Sequence, residues 1–178
     1  PISPGDTFRY EFTLDQDAGT FWYHPHFDTA RQVDLGLYGV LIIEDPVEPK
    51  PDFEAIAVLD SHGEFEAQDP EDMNHGLEGA FLNWTVNGLK DPILNIEKGK
   101  TGRLRMINTS NTGYTHLQWS DMQQIASDQG LLAARTALDS QLLAPGDRAD
   151  FELLANATTE FNLLPYNLNG GEATGPTQ

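Results

Sequence analysis

The chain has 178 residues, 10 Lys and Arg against 28 Asp and Glu, a formal net charge of −18 and no cysteine. This length suits one domain or one and a half, with roughly 70% of the unfolded surface buried. An acidic surface repels phosphate backbones and anionic lipid, so we expect neither nucleic acid nor membrane as a partner. Without cysteine the chain forms no disulfide, thiolate zinc site or blue-copper centre of its own.

Short runs of β-branched and aromatic residues recur between Gly, Pro and Asp clusters, whereas apolar residues at helical spacing are scarce. The sequence therefore predicts an all-β fold, either a sandwich or a barrel. The predicted strands are Thr7 to Leu14 (with Phe8, Tyr10, Phe12 and Leu14 on one face), Gly19 to His24, Gly39 to Glu44, Ala55 to Asp60, Thr85 to Asn87, Gly102 to Asn108, Thr115 to Trp119, Gln123 to Ser127, Gln141 to Leu143, Arg148 to Leu154 and Glu160 to Pro165.

Three further segments look irregular. Residues 45–52 contain three prolines within a charged run, which favours extended, solvated backbone and predicts a domain boundary. The acidic stretch from Glu64 to Glu78 predicts a loop or a short helix. The Gly-rich polar tail from Asn169 to Gln178 predicts a mobile segment or a linker. Because the chain opens at Pro1 directly into strand-like sequence, we expect a processed or truncated product.

The chain also resembles itself. Pro4-Gly5-Asp6 and the apolar alternation after it match Pro145-Gly146-Asp147 and the alternation that follows there. Further on, the segment at residues 21–26 aligns with residues 161–166, although the second copy has neither histidine. This pattern indicates one duplicated β unit, of which only the first copy keeps possible metal ligands.

His24 and His26 flank a single proline at the end of the second predicted strand. In an extended strand, residues i and i+2 face the same way, roughly 6.6 Å apart along the backbone. Two imidazoles at this spacing can reach one cavity, and neutral imidazole suits copper. The alternative is two ordinary surface histidines near a strand end, since Pro25 removes a ladder donor there.

The residues around this pair resemble the end of the first cupredoxin domain of multicopper oxidases, in the bacterial laccase and cuprous-oxidase branch. The match begins at Gly-Thr-Phe-Trp-Tyr-His-Pro-His, residues 19–26, and continues through residues 30–33 and 36–45. Later stretches resemble the copper-free second domain, at residues 87–88, 92, 103–108, 125–131 and 143–150. The resemblance implies a cupredoxin-like Greek-key β-sandwich, with a partial domain at residues 1–47 and a near-complete one at residues 48–178.

The resemblance also implies a function. In that family, His-x-His-type motifs from several domains hold a trinuclear copper cluster that reduces dioxygen to water, and a blue-copper site takes electrons from the substrate. His24 and His26 would each ligate a different copper of the type 3 pair. In the intact protein the electrons would come from a phenol, an aromatic amine or Cu(I). The remaining cupredoxin domains would be required partners, the protein would be periplasmic or secreted, and this chain alone would be inactive.

Other residues leave alternatives open. Pro25 stands where the related copper nitrite reductases place a cysteine, which favours the type 3 interpretation. The segment at residues 27–29 lacks the additional His and Gly of some relatives. Trp22 and Tyr23 could line an electron or oxygen path or belong to the core, and Arg31 could pair with a carboxylate or be solvated.

We assign no metal to the isolated histidines, His62, His75 and His116. A second hypothesis, from a different class, is a family member that has lost its copper and acts as a structural or binding module.

Overall fold

The computed structural model describes residues 2–62, 83–119, 122–156, 162–167 and 171–172, with only the backbone of His62 and of the last two ranges. Strands dominate this part of the chain, and it includes one short helix, which confirms the all-β prediction. The elements are β1 Gly19–Tyr23, α1 Thr29–Asp34, β2 Gly39–Ile43, β3 Phe53–His62, β4 Asn83–Val86, β5 Thr101–Asn108, β6 Tyr114–Gln118, β7 Met122–Ser127, β8 Gly130–Ala137, β9 Ser140–Leu143, β10 Arg148–Leu154, β11 Asn162–Asn167 and β12 Gly171–Glu172.

The strands form three sheets. Strands β1 and β2 pair as an antiparallel two-stranded sheet. A six-stranded sheet has the order β4-β3-β5-β10-β7-β8, and a four-stranded sheet has the order β12-β11-β6-β9. Strands β3 and β5 pair in parallel, whereas β10 pairs antiparallel with both β5 and β7.

The hydrophobic core lies between the six-stranded and four-stranded sheets. Leu104 and Phe151 face each other across β5 and β10, and the Phe151 ring meets Trp119 edge-on with ring centroids 4.6 Å apart. Leu117 and Leu143 close the core from the four-stranded side, with both side chains fully buried. Burying each such side chain stabilises the fold by roughly 1.5–3 kcal/mol. The two sheets therefore form a β-sandwich.

Strand β5 is buried on both faces because β1 packs on the side away from the core. Successive side chains of a strand point to opposite faces, so Arg105 points away from the core, on the other face from Leu104 and Met106. Arg105 is only 3% exposed, and its guanidinium donates to Asp150 Oδ2 at 2.6 Å, to Glu54 Oε2 at 2.9 Å and to Thr20 Oγ1 at 3.0 Å. These four residues, Thr20, Glu54, Arg105 and Asp150, are the Arg105 cluster.

The Arg105 cluster joins four strands, β1, β3, β5 and β10. The Thr20 hydroxyl of β1 donates to Asp150 Oδ1 at 2.7 Å, across 130 residues of sequence. Asp150 and Arg105 are direct cross-strand partners in β10 and β5. Burial raises the pKa of Asp150, against the opposing effects of the Thr20 hydroxyl and the Arg105 guanidinium. A buried carboxylate is tolerated here because each of its oxygens accepts a hydrogen bond.

The structure differs from the predictions at three places. Thr7 to Leu14 forms no strand, and Tyr10 and Phe12 are largely exposed, because no neighbouring strand in the described ranges pairs with this segment. Helix α1 and strand β8 were not predicted. Within the described ranges, no helix is long and apolar enough to cross a membrane.

Three predicted segments can be compared only partly. Residues 45–52 contain a turn closed by Glu48 N donating to Asp45 O at 3.2 Å, and they continue neither β2 nor β3. The predicted loop from Glu64 to Glu78 lies outside the described residues. Of the tail, Gly171 and Glu172 pair with β11, and its remaining residues are also outside the described part.

The turn at the start of the proposed repeat is the same in both copies. Gly5 and Gly146 both adopt a left-handed conformation, with φ of 90° and 88°. In each copy the following aspartate donates its N–H to the residue three positions earlier, at 3.0 Å. Glycine adopts this conformation at no steric cost, which explains the shared Pro-Gly-Asp sequence. The second copy leads into β10, and the first leads into the unpaired segment from Thr7 to Leu14.

The Arg105 cluster predicts a large stability effect at one carboxylate. Replacing Asp150 by Ala leaves Arg105 buried without its cross-strand partner, which we expect to cost about 3 kcal/mol. The matched control is Glu152→Ala on the same strand, because Glu152 pairs at 3.0 Å with the exposed Arg135 and this change should cost less than about 1 kcal/mol. Urea denaturation of the full-length gene product measures both effects. Equal effects of the two substitutions would contradict the assignment.

Candidate functional site

Strand β1 delivers His24 and His26 to one place. The two imidazole rings lie with centroids 4.9 Å apart and planes 25° apart, so they stack on the same side of the chain. His24 is half-buried and His26 is exposed. The pair, which we call the His pair, can therefore approach a common ligand from the solvent side.

The local hydrogen bonds indicate which nitrogen of His24 is available. Its Nδ1 lies 3.1 Å from the carbonyl oxygen of Pro25, which can only accept a hydrogen bond. In the neutral ring this contact places the hydrogen on Nδ1 and the lone pair at Nε2. The Thr29 hydroxyl donates to the same carbonyl at 3.2 Å and holds it in place.

Helix α1 anchors the loop that carries the His pair. Asp28 precedes the helix in a left-handed conformation, with φ of 47°. Val33 is 2% exposed and packs the helix inward, and the Asn111 amide donates to Ala30 O at 2.7 Å. The Gln32 side chain donates back to the carbonyl of Phe27. These contacts connect the chain that follows the His pair to the body of the protein.

A glycine ends this helix and directs the chain into β2. Gly36 has φ of 83°, and its N–H donates to Val33 O at 2.8 Å while the Leu37 N–H donates to Gln32 O at 2.9 Å. This is the Schellman arrangement, in which a left-handed residue satisfies the last carbonyls. Arg31 pairs with Asp28 at 3.7 Å, but both side chains are exposed, so the ion pair contributes little.

Trp22 and Tyr38 extend the stacked rings away from the His pair. The indole of Trp22 stacks on His24 with centroids 4.4 Å apart and planes 28° apart. Trp22 pairs with Val40 across the sheet, and Tyr38 is the diagonal neighbour on the same face. The Trp22 and Tyr38 rings meet edge-on with centroids 6.4 Å apart.

Tyr23 lies on the opposite face from Trp22, where it is 64% exposed. It pairs with Gly39, and its ring occupies the space that a side chain at position 39 would need. Tyr23 is therefore not one of the stacked rings that lead from the His pair.

Tyr38 also joins the two-stranded sheet to β3. Its hydroxyl donates to Asp60 Oδ2 at 2.8 Å, and the other carboxylate oxygen accepts from the Ser61 N–H at 2.8 Å. Asp60 is only 4% exposed. Burial raises the pKa of Tyr38 above its usual value, the Thr109 hydroxyl opposes this and the Asp60 carboxylate adds to it.

Arg148 fixes the backbone of β1 from the side of β10. Its Nε donates to Thr20 O at 3.0 Å and its Nη2 donates to Asp128 O at 2.9 Å. The guanidinium also lies 5.7 Å from the centre of the Phe21 ring, within the range of a cation–π interaction. Together with the Arg105 cluster, this contact sets the direction from which β1 presents the His pair.

Of the remaining histidines, His116 has a described side chain, and it does not join the pair. His116 lies on β6, in the four-stranded sheet. The side chain of His62 and the whole of His75 are outside the description. In the part of the chain that the structure describes, no three or more His, Cys, Asp or Glu side chains are grouped to hold a metal. The two imidazoles are thus a partial ligand set.

Comparison with known proteins identifies the family. A sequence model described as multicopper oxidase matches residues 1–48. Among solved structures, a bacterial laccase-like multi-copper oxidase, CueO from Ochrobactrum sp., superposes with a TM-score of 0.79 at 26% identity, over 96% of this chain and 41% of that one. A multi-copper oxidase from Pediococcus acidilactici superposes with a TM-score of 0.67 at 32% identity, over 81% of this chain and 33% of that one. The fold is therefore a cupredoxin-like β-sandwich, and the chain belongs to the multicopper oxidase family.

The curated relatives have a different kind of name. "Cell division protein FtsP" of Xenorhabdus nematophila is 35% identical over 84% of this chain and 34% of its own length. The protein of the same name from Escherichia coli is 33% identical, over 84% of this chain and 34% of its own length. The chain thus spans about a third of the length of these relatives.

The burial of Tyr38 predicts an anomalous titration. Because its folded pKa is raised, Tyr38 stabilises the fold below the usual value of about 10, and this stabilisation is lost as pH rises through the folded pKa. In an absorbance titration of the full-length gene product, Tyr38→Phe should remove a phenol that ionises later than the ordinary ones. The control, Tyr23→Phe at an exposed tyrosine on the other face, should leave this late-ionising phenol in place. The same titration curve for both variants would show the prediction to be wrong.

Proposed function

We propose that the intact protein is a multicopper oxidase of the laccase or cuprous-oxidase type. It couples the one-electron oxidation of a phenol, an aromatic amine or Cu(I) to the reduction of dioxygen to water. His24 and His26 each ligate a different copper of the type 3 pair. The observation that carries this proposal is the His pair, in which two near-parallel rings lie on one side with centroids 4.9 Å apart.

The chemistry of the two donors fits copper. Neutral imidazole is a good copper ligand, and His24 directs its proton to the Pro25 carbonyl, which leaves Nε2 for the metal. Copper bound there would supply one-electron redox chemistry and oxygen binding. The residues of this chain hold and orient the ligands. Thr29 fixes the Pro25 carbonyl, and the Arg105 cluster fixes the strand that leads to the His pair.

The rest of the ligand set must come from elsewhere, because two imidazoles do not fill the coordination of one copper. We propose that other cupredoxin domains of the intact protein supply it. The segment around the His pair supports such packing, since Phe27 and Leu35 are 83% and 75% exposed. Exposed apolar groups of this size mark surfaces that contact other polypeptide. This chain alone is accordingly inactive.

We propose further that residues 1–47 end the first cupredoxin domain and residues 48–178 form the second, copper-free one. The turn at Asp45 separates the two-stranded sheet from the strands that follow, which supports a boundary there. The two Pro-Gly-Asp turns share the same left-handed glycine conformation, which also favours two copies of one unit. By analogy with the oxidases it resembles, we place the protein in the periplasm or outside the cell.

A second candidate is a copper-free structural or binding module of the same family. The names of the curated relatives favour it, because they describe cell division proteins and not oxidases. Under this proposal the His pair has no metal, and the exposed apolar residues around it contact a protein partner.

Copper binding tests the oxidase proposal. In the full-length gene product, His24→Ala and His26→Ala should each remove type 3 copper. Oxidase turnover should fall by more than the roughly 100-fold loss typical of an outer-shell partner, because a direct ligand is removed. Copper content by atomic emission and turnover with a phenolic donor measure the two effects.

The matched control is His116→Gln, which removes an imidazole from the four-stranded sheet. It should leave copper content unchanged. Full copper and turnover in both alanine variants would overturn the ligand assignment, and a wild-type protein that binds no copper under loading conditions would favour the module.

A further inference from the structure

A half-buried phenol and a buried carboxylate form a hydrogen-bonded pair next to the stacked rings. Tyr38 donates to Asp60 Oδ2 at 2.8 Å, and Asp60 is 4% exposed. Ser61 N–H donates to the other oxygen and holds the carboxylate in its orientation. The phenolic proton thus points at a fixed acceptor that lies out of bulk water.

One aromatic ring connects this pair with the His pair. Trp22 stacks on His24 at 4.4 Å and meets Tyr38 at 6.4 Å between centroids. All three residues share one face of the β1–β2 sheet, because residues i and i+2 of a strand and diagonal cross-strand neighbours point the same way. Tyr23, which is adjacent in sequence, points to the other face and is exposed.

We propose that Tyr38 and Asp60 form a redox-active phenol–carboxylate pair, which exchanges an electron through Trp22 with a one-electron oxidant on the His24 side. Indole and phenol are the side chains of this surface that a strong one-electron oxidant can oxidise. The role of this phenol–carboxylate pair rests on the proposed function. A redox-active metal bound to His24 would be separated from Trp22 only by the imidazole ring of His24.

The step balances as follows. Trp22 loses one electron to the oxidant, which is reduced by one electron. Tyr38 then gives one electron to the oxidised indole, which returns to its resting state. As the electron leaves, the O–H bond of Tyr38 breaks and its proton passes from Oη to Oδ2 of Asp60. The products are a neutral phenoxyl radical at Tyr38 and a carboxylic acid at Asp60.

The carboxylate decides whether this step is favourable. A phenol that loses an electron becomes a strong acid, and the proton of Tyr38 is already directed at the buried carboxylate of Asp60 and not at water. A positioned base within hydrogen-bond reach removes this barrier, as in general base catalysis. Replacing Asp60 by Asn keeps the size and a hydrogen-bond acceptor, but the amide oxygen is a far weaker base.

The test uses the copper-free full-length gene product, so that its outcome does not depend on copper binding. A flash-generated ruthenium(III) tris-bipyridine oxidises the protein by one electron, and transient absorption follows the indolyl and phenoxyl radicals. We expect a first-order conversion of indolyl to phenoxyl radical whose rate is independent of protein concentration. The rate should fall in D₂O because a proton moves with the electron.

Four variants assign the conversion to residues. Trp22→Phe and Tyr38→Phe should abolish it, and Asp60→Asn should slow it by roughly 100-fold, the lower end of what a positioned base contributes. The exposed Tyr23→Phe is the matched control and should leave the rate unchanged. Near-ultraviolet circular dichroism checks that each variant is folded.

Persistence of the conversion in folded Tyr38→Phe, or its loss in Tyr23→Phe, would overturn the proposal. An unchanged rate in folded Asp60→Asn would remove the carboxylate from it. Should Tyr38→Phe or Asp60→Asn fail to fold, the D₂O effect and the loss of conversion in Trp22→Phe still decide the matter. A negative result in this experiment would not affect the copper content measured for His24→Ala. Equally, a negative copper result would not affect the radical conversion, which is measured without copper.

Discussion

The position of β1 depends on a buried ion pair that belongs to other strands. Arg105 and Asp150 lie opposite each other in the six-stranded sheet, and both reach out of the sheet to the hydroxyl of Thr20. Burying such charges is costly unless they are paired and hydrogen-bonded. Here both oxygens of Asp150 accept hydrogen bonds, and the two terminal nitrogens of Arg105 donate to Asp150, Thr20 and Glu54, although Arg105 Nε finds no partner among the described residues. The polar contact therefore selects one position for β1, where an apolar contact would tolerate several.

The position of β1 in turn restrains the His pair, because the chain is held on both sides of the two histidines. Thr20 is four residues before His24, within a strand whose backbone Arg148 also holds. On the other side, α1 and its Schellman ending return the chain to β2, so the loop that carries the rings is fixed at both ends. Ligands held by packed strands and helices are better oriented than ligands on free loops. The exposed ring of His26 is thereby held at the surface, as the proposed completion of the site by other domains requires.

Much of the fold was predictable from sequence because strand alternation and turn residues are local signals. Most predicted strands formed within a few residues of their expected ends. Thr7 to Leu14 did not, since a strand needs a partner that alternation cannot supply. Helix α1 was missed because its single buried residue, Val33, gives no helical period, although Gly36 was a possible signal of its end. The spacing of the His pair was readable, whereas Tyr38 and Asp60 lie 22 residues apart and meet only where the two-stranded sheet packs beside the six-stranded one.

The hydrogen bond between Thr20 and Asp150 spans 130 residues, and this separation orders events in the cell. Synthesis from the ribosome delivers the N-terminal residues first, so β1 emerges long before β10. Contacts between distant residues also form late, because closing a long loop costs entropy before any contact offsets it. The histidine strand is consequently made before the strand that fastens it. Should a metal bind the His pair, its ligands would be held in place only once the downstream sheet has assembled, so insertion of the metal would follow the folding of that sheet.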